Sequence, residues 1–330
     1  MKTLVLSMIS IAATVAAMTA CTSESDEIDD LTKDAPVEIK MSAKVLNIET
    51  KSEGPIDGIK KAIDNVGFIR KDATVATESN AEETAKSIDW ATGTTDYTAT
   101  IAETSGAMVL TPTPYYPAAE DSYAYLIGYH PNTTKPTKGI VAYTIDGNTD
   151  IMYAKTVYGY KKTTDKLAPA FNHLLSQLVI KVAGENNAAL EAWGTISSIS
   201  VKGVQKKQNL KLSDGSLTPD GTDNTATSLE IKAQGGTYPT LTTSTTDAGY
   251  CMIPPQTTVA KILLTVTTNK TSRDVEVSIP AETGGNNRPA DTTVAGEAYT
   301  ITLTFKASEI TAQATVASWK EVTGGQGTVD

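Results

Sequence analysis

The chain has 330 residues, 40% of them hydrophobic, and 38 acidic against 28 basic side chains give it a formal net charge of −10. That balance excludes nucleic acid and anionic membrane faces as partners, since both select basic patches. Two cysteines and two histidines leave little material for thiol, zinc or histidine chemistry.

At the N-terminus, Lys2 precedes an uncharged stretch over residues 4–18 and the small residues Thr19 and Ala20. This order predicts a secretory signal peptide over residues 1–20. The stretch is too short to span a bilayer, which takes about 20 apolar residues. Met18, Thr19, Ala20 and Cys21 resemble the lipobox of bacterial lipoproteins, which implies an acylated Cys21 and a lipid anchor in the precursor. Residues 22–34 hold six acids and one lysine, a net −5, with no aromatic residue. Such composition predicts a solvated tether over residues 21–36. Acid directly after a lipobox also resembles the surface-export signal of lipoproteins in the Bacteroidota.

Beyond the tether the length suits two domains, and period-2 alternation predicts an all-β chain of sandwich type with few short helices. Val37, Ile39, Met41, Ala43 and Val45 alternate with Glu38, Lys40, Ser42 and Lys44, which predicts a first strand. Residues 57–63 read as a helical turn capped by Asp57, followed by a strand over 66–70 that ends at Arg70. The polar stretch 161–170, with Pro169 near its end, is the expected domain break, giving sandwiches over 37–165 and 166–306. A short helix is expected over 187–192, strands over 196–201, 261–266 and 299–305, and a glycine turn over 213–216. A last strand over 310–319 carries Ile310, Ala312, Ala314 and Val316 on one face. Its other face carries Thr311, Gln313 and Thr315, and the strand ends at Trp319.

Candidate chemistry is sparse. His130 lies in Gly-Tyr-His-Pro, a turn, and His173 opens an apolar strand; packing roles outweigh a His–Cys dyad with Cys251. Cys251, within the apolar residues 249–253, reads as a small buried hydrophobe. Residues 146–150 and 220–224 are oxygen-rich but lack the terminal glutamate of a calcium loop, so they read as turns. Asp291, Thr292 and Thr293 resemble a short O-glycosylation site of Bacteroidota proteins. No catalytic residue, metal or cofactor is expected.

Five phrases in order carry a resemblance: PYYPAAEDSYAYLIGYHP (114–131), DIMYAKT (150–156), FNHLLSQLVIKV (171–182), CMIPPQT (251–257) and YTITLTF with ITAQATVASW (299–319). Together they resemble the fimbrillin-like proteins, subunits of type V pili in the Bacteroidota. The resemblance implies two tandem Greek-key sandwiches of transthyretin-like topology and a precursor exported as a lipoprotein. It also implies that a trypsin-like protease removes the lipid and the first strand (37–48), and that a neighbour's C-terminal segment (307–330) fills the groove. Partners would then be other copies of the chain or related pilus subunits, serving adhesion to a host or bacterial surface ligand.

Carried onto these residues, the resemblance makes Val37, Ile39, Met41, Ala43 and Val45 the side chains displaced on maturation. Ile310, Ala312, Ala314, Val316 and Trp319 become the donor. Lys51 and Ser52 flank the expected cut. Family members often have arginine there; the first arginine here is Arg70, the runner-up site. A second reading stays open: an uncleaved monomeric surface lipoprotein that binds a glycan or host ligand, with Tyr115, Tyr116, Tyr123, Tyr125 and Tyr129 as the aromatic candidates.

Overall fold

The structure, a computed structural model, describes residues 35–45, 61–221, 225–282 and 288–318. Alternating residues give strands almost throughout. Up to residue 173 these are β1 (Met41–Ser42), β2 (Lys44–Val45), β3 (Ile63–Thr74), β4 (Thr95–Ile101), β5 (Ala107–Thr111), β6 (Ser122–His130), β7 (Ile140–Thr144), β8 (Met152–Gly159) and β9 (Ala170–His173). Then follow β10 (Ser176–Gly184), β11 (Ile196–Gln205), β12 (Lys207–Lys211), β13 (Ser216–Pro219), β14 (Ala226–Glu230) and β15 (Lys232–Ala233). The last five are β16 (Thr246–Ile253), β17 (Ile262–Thr268), β18 (Ser272–Val277), β19 (Glu297–Phe305) and β20 (Ile310–Ser318).

Two short helices interrupt them. The expected one is α2 (Asn187–Trp193), whose Asn186 side chain accepts a hydrogen bond from the Ala189 amide and whose end is marked by Gly194. The other, α1 (Ala81–Ser87), buries only Ala81 and so shows no apolar period in the sequence. Of the helical turn expected over 57–63, residues 57–60 lie outside the described residues, and strand begins at Ile63. There Asn65, at φ 60°, takes up a bulge between Ile63 and Val66. That bulge breaks the alternation that would have revealed the strand's true start.

An eight-stranded sheet runs β1-β5-β4-β3-β6-β8-β9-β2. Its two end strands are separated only by Ala43, so the sheet closes on itself around a core that includes Phe68, Ile101, Leu126 and Phe171. Phe68 and Phe171 meet edge to face at 6.0 Å. Gly128 makes that contact possible, because a Cβ there would stand 2.8 Å from Phe171 and 2.9 Å from Phe68. The second half pairs a five-stranded sheet, β15-β16-β10-β19-β20, with a four-stranded one, β14-β11-β17-β18. Leu178, Ile180, Leu264, Val266, Ile301 and Leu303 are buried together in its core.

The stretch 161–170, where a domain break is expected, lies between β8 and the start of β9. Hydrophobic packing nonetheless crosses it: Tyr125, Tyr129 and Tyr153 belong to the same cluster as Leu178, Leu210 and Leu212. A third sheet, β13-β12-β7, pairs strands from either side of that stretch. The Tyr153 hydroxyl donates to the Leu212 carbonyl at 3.0 Å. The described residues from Val37 onward form one compact unit.

Gly249 sits where β16 carries its irregularity against β10, at φ 153°, and a Cβ there would fall 2.0 Å from the Lys232 carbonyl oxygen. Gly249→Ala should therefore strip β15 from the sheet edge and cost roughly 2 kcal/mol or more. A urea midpoint unchanged from wild type would contradict the β15–β16 pairing.

Candidate functional site

The first strand is held on both of its edges. Toward one side, the Ile39 and Ala43 amides donate to the carbonyls of Pro114 (2.9 Å) and Gly106 (2.8 Å). The Val37 carbonyl there accepts from the Tyr116 amide at 2.8 Å. Toward the other side, the Ser42 and Lys44 amides donate to Leu167 (2.9 Å) and Pro169 (3.0 Å), and the Lys40 carbonyl accepts from Leu167 at 2.9 Å. The register agrees: Met41 lies opposite Met108 of antiparallel β5, and Lys44 opposite Ala170 of parallel β9. A single strand thus seals the closed sheet between β5 and β9. Ile39, Met41 and Ala43 are 2%, 2% and 4% exposed and belong to the core beneath, while Lys40 and Lys44 face water. Val37 departs from the expected inward set, being 39% exposed at the strand's beginning.

The last strand is held on one edge only. β20 pairs antiparallel with β19 from Phe305–Ile310 to Glu297–Ser318 and is the outermost strand of its sheet. Ala314 is buried, and Ile310, Ala312 and Val316 are partly buried against the second core. Thr311 and Gln313 are on the opposite face, as the alternation predicts. Beside the β19 end of this ladder, Glu297 accepts from the Tyr299 hydroxyl (2.5 Å) and lies 3.5 Å from the Arg288 guanidinium, all three buried. Burial, then the Glu297 carboxylate, pushes the Tyr299 pKa up.

Cys21, Lys51, Ser52 and Trp319 lie outside the described residues. Arg70 stands in the middle of β3, not at its end. It is 9% exposed, pairs in register with Thr95 and Leu126, and its guanidinium bonds Asp72 at 2.7 Å. Four of the five clustered tyrosines are buried; Tyr115, at 46%, alone of them is exposed. Thr292 and Thr293 are 5% and 2% exposed, and their hydroxyls bond the Pro289 carbonyl and the Gln256 amide.

Sequence reasoning missed the meeting of the two histidines. His130 ends β6 rather than lying in a turn, and its Nδ1 donates to the Asp150 carbonyl at 2.9 Å. A carbonyl only accepts, which places the proton on Nδ1. His173 Nδ1 bonds the Asp150 carboxylate at 2.6 Å, and all three residues are buried. Nothing local joins residues 130, 150 and 173, so no spacing signal exists. Cys251 is fully buried, as expected, and burial pushes its thiol pKa up to about 12. Asp146 is a turn residue, accepting from the Asn148 and Thr149 amides. Among the described residues no group of three acidic, histidine or cysteine side chains is placed to hold a metal, and no helix is long and apolar enough to cross a membrane.

A family model described as fimbrillin-like matches residues 61–319. Among solved structures, a Bacteroides uniformis protein assigned to cell adhesion superposes with a TM-score of 0.57 at 18% identity, covering 85% of this chain and 99% of its own. A Bacteroides ovatus protein of the same assignment gives 0.55 at 19% identity, covering 87% and 99%. The tip fimbrial protein Mfa3 of Porphyromonas gingivalis, with a C-terminal truncation, gives 0.43 at 10% identity, covering 86% and 100%. No curated protein matches the chain in sequence.

Two outcomes follow from this geometry. Met41→Ala should cost about 2–5 kcal/mol in urea unfolding, because it removes three heavy atoms from a side chain buried in the closed core. The second concerns acid. Burial, reinforced by His173, lowers the His130 pKa from 6.5 against the opposing pull of Asp150. The unfolded chain therefore binds a proton that the folded chain refuses. His130's contribution is complete above about pH 6.5 and is lost as pH falls from there toward the folded-state value. His130→Gln should flatten that part of the acid slope, measured as urea midpoints between pH 7.5 and pH 5; an unchanged slope would show that His130 is not its source.

Proposed function

The chain belongs to the fimbrillin-like family, and from that premise we propose that it is a structural subunit of a surface fimbria, polymerised by strand exchange and serving adhesion. Cys21 carries the lipid through export to the outer membrane, and the acidic tether supplies slack at the cell surface. Cleavage between Lys51 and Ser52 then releases lipid, tether and first strand together.

The observation that supports this reading best is the two-sided hold on residues 38–45. Removing them leaves unpaired backbone groups on β5 and on the 167–171 stretch, facing each other across an apolar floor. Such a gap accepts one extended strand, which satisfies both edges and refills the core. Burial of Ile39 and Met41 side chains is worth about 1.5–3 kcal/mol each, and an incoming strand recovers a similar gain less the cost of its ordering. The hydrogen-bonded ladder adds slow dissociation, which a fibre needs under load.

Lys51 is the better cut site than Arg70. A cut at Arg70 severs a strand paired on both sides, and a protease needs an extended, accessible segment that buried β3 does not offer. β20 is the natural donor, because an edge strand leaves its sheet by breaking one ladder rather than two.

Treating the secreted precursor with a trypsin-like protease should expose a new N-terminus at Ser52 and produce a ladder of SDS-resistant oligomers. Deleting residues 310–330 should abolish the ladder while the remaining fold persists by circular dichroism. A protein that is cut cleanly at Lys51 yet stays monomeric would overturn polymerisation by strand exchange.

A further inference from the structure

Beside β7, β11, β14 and β15 lies a groove of about 870 Å³, within the range of about 300–1,000 Å³ usual for small-ligand sites. Its floor is apolar: Ile145, Ile196, Leu229 and Ile231 line it and are buried. Its rim carries two acids, Asp146 and Glu230, and two bases, Lys206 and Lys232.

The walls are held before any ligand arrives. The Ile145 amide donates to the Lys206 carbonyl and the Ile231 amide to the Ile199 carbonyl, each at 2.8 Å. Asp146 accepts from the Asn148 and Thr149 amides at 2.8 and 2.7 Å. Between them the Gly147 carbonyl accepts from the Met252 amide at 2.7 Å, which pins this turn to β16. Gly147 stands at φ 82°, and a Cβ there would meet the Cys251 sulfur at 2.9 Å. Walls fixed in this way lose little freedom on binding.

The rim charges are not spent on one another. Elsewhere in the second half Lys181, Lys202, Lys211, Lys261 and Lys306 each pair with a carboxylate. Among the described residues Lys206 and Lys232 reach no carboxylate; Lys232 lies over the Tyr250 ring at 5.9 Å. The Glu230 side chain has no hydrogen-bond partner among those residues and faces water. Tyr238, also in the lining, is the reverse case. Its hydroxyl accepts from the Ile199 amide at 3.1 Å and donates to the Ile231 carbonyl at 2.6 Å, so its ring is what remains for a ligand.

These features select among ligands. The four rim charges cancel, so a polyanion loses to the acids what it gains from the lysines, and the chain's net charge of −10 opposes it further. A wholly apolar molecule would take water from the charged groups and give nothing back. A sugar hydroxyl both donates and accepts, which suits lysine and carboxylate alike, and sugar C–H faces suit the Tyr238 ring and the apolar floor. We infer that the groove binds a neutral oligosaccharide, whose hydroxyls donate to Asp146 and Glu230 and accept from Lys206 and Lys232. The inference rests on the adhesive role proposed above and is independent of strand exchange. It sets the sugar site apart from the tyrosines at 115–129, four of which are buried.

The test uses the uncut full chain on an array of glucose, galactose, mannose and N-acetylglucosamine oligosaccharides, with sialylated and uronic-acid chains beside them. At least one neutral member should bind, with an affinity that holds when salt is raised to about 0.5 M, where exposed charges are screened. Lys206→Ala and Glu230→Ala should each weaken binding about tenfold or more, one charged hydrogen bond apiece. Thr237→Trp, which fills the groove beside Tyr238, should abolish it, and Tyr115→Ala should leave it unchanged. Urea midpoints of the three groove variants should match the wild type. A preference for acidic chains, or neutral binding that survives Lys206→Ala, Glu230→Ala and Thr237→Trp combined, overturns the site. Beads coated with the chain separate this inference from the role it rests on. Adherence to cells with a blank array keeps adhesion and overturns the sugar, whereas a blank array with no adherence overturns the adhesive role as well.

Discussion

Residues 38–45 hydrogen-bond to both neighbours at once, and the closed sheet of the first half exists only because they do. Among the described residues, β5 on one side and the 167–171 stretch on the other are joined in the ladder by way of this segment. A β-sheet with its seam unfilled presents two unpaired edges and an open core, the costliest arrangement available to strands in water. The strand is therefore a principal stabilising element of the first half.

β3, β6 and β8 form the wall opposite the seam, and their other face packs into the cluster that continues through the second half. In β6, Ala124 and Leu126 face the closed core, while Tyr123, Tyr125 and Tyr129 face the larger cluster. This wall is thus packed on both of its faces. The buried His130–Asp150–His173 group ties the ends of β6 and β9 together beside that wall. Its location explains why two histidines in a chain without evident catalytic chemistry sit together: they complete hydrogen bonds that buried polar groups require.

Strand character was legible in the sequence wherever one face met water, as in residues 37–45, 299–305 and 310–316, where apolar and polar residues alternate cleanly. It was blurred where both faces are buried, as in β6, and where the Asn65 bulge shifts the pattern at the start of β3. The short α1 escaped notice because a helix that buries one alanine has no hydrophobic stripe. Of the seam, the sequence showed the inward residues of one strand and nothing of the walls: Leu167, Pro169, Gly106 and Pro114 contribute backbone carbonyls, which every residue has.

The sequence alone therefore determined the all-β class and the faces of the first and last strands, because each is a local pattern of neighbouring side chains. Only the tertiary structure decided that the first strand closes a sheet between β5 and β9, that β20 is the outermost strand of its sheet, and that His130 and His173 share Asp150. A period of two says which face of a strand is buried but is the same for every partner. Choosing the partner depends on contacts between residues far apart in the chain, which packing and backbone hydrogen bonding settle together.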